Sequence, residues 1–141
     1  MPGAVTIKLT TNKFPALAAR LPQVVGDICE TSAKAIEADA KTSMAQPKHG
    51  RIYDVGGVAP HQASAPGESP AIDTGLLANI QTEADGRPTR WVTYTTAEYA
   101  AALEFGSPTL GIAPRPFFTP AAERERPHFI RALRDLESGL A

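Results

Sequence analysis

Asn79-Ile80-Gln81-Thr82-Glu83 and Arg90-Trp91-Val92-Thr93-Tyr94 flank the pair Asp85-Gly86, and the reading of this stretch decides the fold. Val92 and Thr93 are β-branched and Trp91 and Tyr94 are aromatic, side chains that suit a pleated, half-buried surface. Asp-Gly between two such runs is a strong hairpin signal, because the turn needs positive φ and glycine adopts it without steric cost. The stretch therefore predicts an antiparallel hairpin, which rules out an all-helical chain.

On the N-terminal side, Val5, Ile7 and Leu9 alternate with Thr6, Lys8 and Thr10, a period of two that predicts a half-buried strand. Leu21-Pro22 opens the clearest helical pattern, with Pro22 suited to the first helical position. Val25, Ile28, Cys29, Ile36, Ala40 and Met44 share one side of that helix. Glu30–Lys34 and Glu37–Lys41 are acid-first i,i+4 pairs, each worth about 0.2–0.5 kcal/mol. The helix is expected from Pro22 to Ala45, ending before Pro47. On the C-terminal side, Thr95-x-x-Glu98 matches a capping box ahead of a helix through Leu103, with Gly106 as its stop. Thr119-Pro120 restarts a helix in which Phe129, Ile130, Leu133, Leu136 and Leu140 recur at helical spacing. Pro127 is expected to kink or break it, since proline lacks the N–H and clashes with the carbonyl of Glu123.

Residues 46–72 contain Pro47, Gly50, Gly56, Gly57, Pro60, Pro66, Gly67 and Pro70 and few bulky apolar residues. A loop of that length is usually functional or disordered. Arg51-Ile52-Tyr53-Asp54-Val55 predicts a short strand in an arm closed at Gly56-Gly57, and Asp73 is placed to cap a short helix over Gly75–Ala78. Residues 106–116 read as a second Gly/Pro-rich loop. The expected architecture is a single α+β domain over residues 1–141. A long N-terminal helix and a C-terminal helix pack on a small antiparallel sheet, with 46–72 as a long assembly loop.

Composition narrows the function. Of the 141 residues 43% are hydrophobic but only 6% aromatic, which predicts a modest core supported in part by neighbouring subunits. The net charge of −1 lacks the basic excess of a protein that grips nucleic acid by its phosphates. Arg124, Arg126, Arg131 and Arg134 are interleaved with Glu123, Glu125, Asp135 and Glu137, which reads as a solvated mixed face. The single cysteine, Cys29, excludes an internal disulfide and reads as a small buried hydrophobe. No apolar run reaches the length of a membrane span, and Met1-Pro2-Gly3-Ala4 lacks the pattern of a secretory leader, so a soluble protein made in the cytosol is expected.

Catalytic signatures are weak. His49 and His61 share the long loop with Asp54 and Glu68, without the tight ligand spacing of a metal site, and read as solvated histidines. Ala65-Pro66-Gly67-Glu68-Ser69 is neither a nucleophile elbow nor a phosphate loop. Glu104, near a helix end without a His or second acid beside it, reads as a structural carboxylate. It pairs with Arg115 if the chain folds back; otherwise both are solvated. Of Phe117 and Phe118, one ring is expected in the core and the other against a neighbouring subunit.

Three phrases, in order, carry more. The first is Pro66-Gly67-Glu68-Ser69-Pro70 followed by Asp73-Thr74-Gly75-Leu76; the second is Tyr99-Ala100 with Glu104-Phe105-Gly106; the third is Arg115-Pro116-Phe117 with Pro120-Ala121. Together they resemble the gene-product-ten-like family of HK97-type tailed phages, over roughly residues 20–140. The departure is Pro127 in the final helix. The resemblance implies a non-enzymatic virion protein of the head–tail junction, a neck, tail-completion or terminator component assembled in the host bacterial cytoplasm. It implies a homo-oligomeric ring, a hexamer, between the portal-bound connector or stopper and the tail tube. DNA passes through without being specifically bound, and no membrane, metal or cofactor is involved. The candidate interaction residues are His61, Pro66, Gly67, Glu68, Glu104, Phe105, Arg115, Phe117 and Phe118. The alternatives are a minor component elsewhere in the tail and, from another class, a small metal-dependent hydrolase using His49, His61, Asp54 and Glu68.

Overall fold

The computed structural model describes residues 12–54, 56, 59–73 and 75–140. The alternating Val5–Leu9 segment lies outside them, as do Val55, Gly57 and Thr74. The fold is α+β, as the hairpin and the two helical patterns require. It comprises α1 (Phe14–Ala45), β1 (Ile52–Tyr53), β2 (His61–Gln62), β3 (Ile80–Ala84), β4 (Trp91–Thr95), α2 (Ala100–Phe105) and α3 (Phe118–Leu140).

Helix α1 begins at Phe14, well before the expected start at Pro22. Asn12 Oδ1 accepts the Phe14 N–H at 3.1 Å, satisfying one of the unpaired donors of the first turn. Pro15 sits in that turn, where its missing N–H is no loss. Pro22 is interior and forfeits one bond to the Ala18 carbonyl, a preference of about 3 kcal/mol that packing must offset. Leu17, Leu21 and Val24 extend the apolar stripe and, with Leu136 of α3, line a cleft of about 410 Å³. The stop before Pro47 is as expected, and both i,i+4 ion pairs form.

Helices α1 and α3 run antiparallel. Asp39 Oδ2 accepts from Arg124 Nε at 2.7 Å, Ser32 Oγ donates to Glu125 Oε1 at 2.7 Å, and Leu17 and Leu21 lie beside Leu136. Helix α3 is continuous across Pro127, so the expected break is absent. Pro127 is exposed, and the Glu123 carbonyl that loses its partner is on a solvated residue.

The two strands of the central hairpin pair antiparallel, with Ile80 opposite Thr95, Thr82 opposite Thr93 and Ala84 opposite Trp91. Its connection is wider than a tight Asp85-Gly86 turn. Asp85 N–H donates to the Arg90 carbonyl at 2.8 Å and Arg90 N–H to the Arg87 carbonyl at 3.1 Å, so Arg87-Pro88-Thr89 belongs to the loop. The hairpin lies on α1: Thr93 Oγ1 donates to the Ala33 carbonyl at 3.0 Å and meets Thr82 Oγ1 at 3.1 Å. Gly26 permits the closest approach, since a Cβ there would sit 2.6 Å from the Pro88 carbonyl oxygen. A second, separate sheet is the arm β1–β2, with Ile52 opposite Gln62 and Tyr53 opposite His61. The small sheet expected from sequence is therefore two two-stranded sheets.

Two local expectations fail for local reasons. The Thr95–Glu98 capping box does not form: Thr95 ends β4, its hydroxyl accepts the Ala97 N–H at 3.3 Å, and α2 starts only at Ala100. Leu76–Ala78 is a turn rather than a helix, closed by Asn79 N–H to the Leu76 carbonyl at 3.3 Å. The loop 106–116 is not featureless; it holds a 3-10 turn at Pro108–Leu110 and a bridge between Ser107 and Ile112.

The core is small and sits at one end of the helix pair. Ala40 and Met44 of α1 meet Ala121 of α3, with Phe117, Leu77, Ile80, Ala97 and Ala100 filling the space between. We expect Gly26→Ala to destabilise the protein by about 1–3 kcal/mol through overpacking. The helix-propensity gain of about 1 kcal/mol should not offset it, because the obstructing atom is backbone. Urea unfolding compared with wild type tests this; a more stable variant would refute the close approach.

Candidate functional site

The three phrases that stand far apart in sequence meet where the C-terminal end of α1 faces the start of α3. Glu104, 7% exposed, is the centre of the meeting. Its Oε2 accepts the N–H groups of Phe117 at 2.8 Å and Phe118 at 3.0 Å, and its Oε1 accepts that of Thr119 at 2.8 Å. These are the donors that the first turn of a helix leaves unpaired, at the end where the helix dipole favours negative charge. Burial pushes the Glu104 carboxyl up; the hydrogen bonds from Phe117, Thr119 and Phe118 together outweigh it and hold the carboxyl below its ordinary value.

Gly106 makes this possible. At φ 78° it turns the chain out of α2 in a conformation other residues rarely adopt, and a Cβ would stand 2.9 Å from Pro114 Cδ. The returning strand is tied by the Arg115 N–H to the Leu103 carbonyl at 2.6 Å. The expected Glu104–Arg115 pair is not made, and neither group is simply solvated. Arg115 instead donates from Nε to the Ser64 carbonyl at 3.2 Å and from Nη1 to the Ala113 carbonyl at 3.2 Å. Gly67 N–H adds a bond to the Pro114 carbonyl at 2.9 Å, so the long loop is fastened to the third phrase from two sides.

A second carboxylate closes that loop on itself. Glu68 Oε2 accepts from Ala65 N–H at 2.8 Å and His49 N–H at 3.1 Å, and its Oε1 meets His49 Nδ1 at 2.6 Å. The Ala65 and His49 hydrogen bonds draw the Glu68 carboxyl down to about 2. His49, read from sequence as solvated, is thus anchored although its ring is exposed. Next to it, Lys48 Nζ donates to the Ser43 carbonyl and to Ser69 Oγ, both at 2.8 Å, and Ser69 Oγ donates to the Ser43 carbonyl at 2.6 Å. A cation at a helix C-terminus complements the dipole there. Burial lowers the Lys48 ammonium from its ordinary range, opposed by the nearby Glu68 charge. Lys48 and Ser69 escaped the sequence reading; the available signal was a lysine just past the last turn of α1.

The remaining candidates divide by exposure. Phe117 is 1% exposed and in the core; Phe118 is half-buried against it, ring centroids 4.6 Å apart. Phe105 is 75% exposed beside the clamp, and Pro66 is exposed in the turn before Glu68. His61 lies in β2 opposite Tyr53 and is half-buried. Cys29 is only half-buried and lines a groove of about 430 Å³ with Ser32, Trp91 and Phe129.

Chemically, both carboxylates accept from N–H donors on both oxygens, an arrangement that holds backbone in place. Among the described residues no group of three or more His, Cys, Asp or Glu is placed to hold a metal ion. No described helix is long and apolar enough to cross a membrane. No family model, curated protein or solved structure matches this chain.

Replacing Glu104 with Ala strips three N–H donors of their acceptor, and we expect a loss of about 1–3 kcal/mol in urea unfolding near neutral pH. Both carboxyls are depressed in the folded state, so their stabilisation is complete above the ordinary carboxyl value of 4.5 and is lost as pH falls through the folded values. Stability should therefore drop between pH 4.5 and about 2, the window set by Glu68. Glu68→Gln should shallow that drop; an unchanged pH profile would contradict the assignment.

Proposed function

We propose that this protein is a structural component of a tailed bacteriophage particle, acting by adhesion in a ring at the head–tail junction. In this reading it joins the connector or stopper bound to the portal to the tail tube, as a neck, tail-completion or terminator protein. The observation that carries the reading is the convergence of its three phrases. The residues on which the resemblance rests are among those that tie the loops to one another and to the start of α3: Glu68 and Gly67, Glu104 and Gly106, Arg115 and Phe117. A short motif shared for a structural reason should sit at such a junction. Supporting it, the charged groups of the cluster hold backbone, and the β1–β2 arm carries exposed Ile52 and Tyr53 out of a chain with little core. Exposed apolar residues on an extended arm are suited to contact with other subunits.

The arm can be removed without touching the staples. Gly50 N–H donates to the Ala63 carbonyl at 3.0 Å, so the chain ends left by deleting Arg51–Gln62 already lie side by side. A short Gly-Asn turn in its place should leave the circular dichroism spectrum unchanged, because loop length alters closure entropy by only about 0.6 kcal/mol per doubling. Phage lysates carrying the deletion should contain heads and tails that fail to join. Normal tailed particles by electron microscopy would refute the reading.

The same reading requires DNA to slide through without being held. With a net charge of −1, the isolated protein should bind duplex DNA no more tightly than about 10⁻⁴ M at physiological salt. Micromolar binding with a steep salt dependence would favour a DNA-gripping neck factor instead.

A further inference from the structure

A groove of about 350 Å³, part apolar and part polar, opens between Ile72, Asp73 and Leu76 on one side and Tyr99 and Leu103 on the other. Ile72, Leu76 and Tyr99 stand around it 42%, 48% and 43% exposed, and Leu103 forms part of its wall. Asp73 lies on its rim. The arm presents the matching features: Ile52 is 61% and Tyr53 47% exposed, and Arg51 is stacked over the Tyr53 ring at 5.2 Å from its centroid. Those exposures show that the chain's own groove does not take its own arm. Neither Arg51 nor Asp73 has an ion-pair partner among the described residues.

No Lys or Arg occurs between Ala71 and Gly86 or between Trp91 and Pro114, the two stretches that build the groove. Asp73 and, next to Tyr99, Glu98 make the groove side acidic. On the arm, Arg51 sets a positive charge before Ile52 and Tyr53 and Asp54 a negative one after them. The arm thus offers two exposed apolar side chains and the groove a place for them, with Arg51 and Asp73 as a pair of opposite charges that have no ion-pair partner among the described residues, and the occupant they point to is a second copy of the chain.

We propose that the β1 strand of one copy seats Ile52 and Tyr53 in the Ile72–Leu103 groove of a second copy, with Arg51 set against Asp73. Arm and groove are different surfaces, so the contact is head-to-tail and each copy offers one of each. Such a contact propagates from copy to copy and closes into a ring when the rotation allows. This deepens the ring reading above and rests on its self-association component.

The test is the mass of the full-length protein by light scattering over a concentration series. Wild type should assemble beyond a monomer. Arg51→Glu and Asp73→Arg should each weaken assembly by about ten-fold or more, because each sets like charges against one another. Mixing the two variants should restore it, since every arm then meets a groove of opposite sign. Restoration by mixing is an outcome that misfolding of either variant could not produce. A monomeric wild type overturns the inference and leaves the junction reading to the lysate experiment. Wild-type assembly that both variants retain, or that mixing fails to restore, overturns the inference while the ring reading stands.

Discussion

One buried carboxylate organises this molecule. The side chain of Glu104 leaves α2 and ends the amide ladder of another helix, α3, by accepting three of its first N–H groups. A helix start buried without acceptors is unfavourable by several hydrogen bonds. The end of α3 that carries Phe117 into the core can therefore be buried only because Glu104 is there. Phe117 in turn shares the buried cluster with Met44 and Ile80, so α1 and the hairpin as well as α3 rely on a charge held at the start of α3. The acid is kept ionised by the donors it serves, which is why burial does not neutralise it.

The opposite partner of that helix pair is handled with the opposite charge. The Ser43 carbonyl in the last turn of α1 accepts from Lys48, and the first amides of α3 donate to Glu104. Because the helices are antiparallel, both termini fall at the same end of the molecule, and so does the buried core. The Pro/Gly-rich segments on either side are drawn in by these termini. The first is held by Lys48, which it brings to the end of α1, and the second by the bonds of Pro114 and Arg115 to Gly67 and Leu103, although neither has the apolar residues to pack by itself.

Periodicity was enough to foresee the long helices, the hairpin and the stop at Gly106, since each depends on a local rule. The start of α1 was misplaced because Pro22 carries a local signal that the apolar stripe of Leu17, Leu21 and Val24, which faces Leu136 of α3, overrides. The unbroken course of α3 through Pro127 has a different cause: Pro127 is exposed, and the carbonyl left without its partner belongs to the exposed Glu123. The Thr95 box failed because its hydroxyl had a nearer N–H at Ala97. At the site, Glu104 was legible as structural, but its partners were not: a carboxylate can be matched to an arginine by charge from sequence alone, whereas its use by three backbone amides has no sequence signature. His49 and Glu68 were named together only as metal-site candidates, since nothing in their spacing told of the amides of Ala65 and His49 that close the loop.

The placement of the core at one end of an extended helix pair sets a gradient of stability along the molecule. Opening near Glu104 exposes Phe117, Met44 and Ile80 at once and so coincides with global unfolding. At the far end, where Leu17 and Leu21 lie half-buried beside Leu136 and Pro22 has already removed a rung of the α1 ladder, opening releases far less surface. Amide hydrogens there exchange through a local door while those of the core wait for the whole structure to come apart. The chain thus joins a rigid head to a yielding stem, and strain applied to the molecule is absorbed at the stem before it reaches the staples.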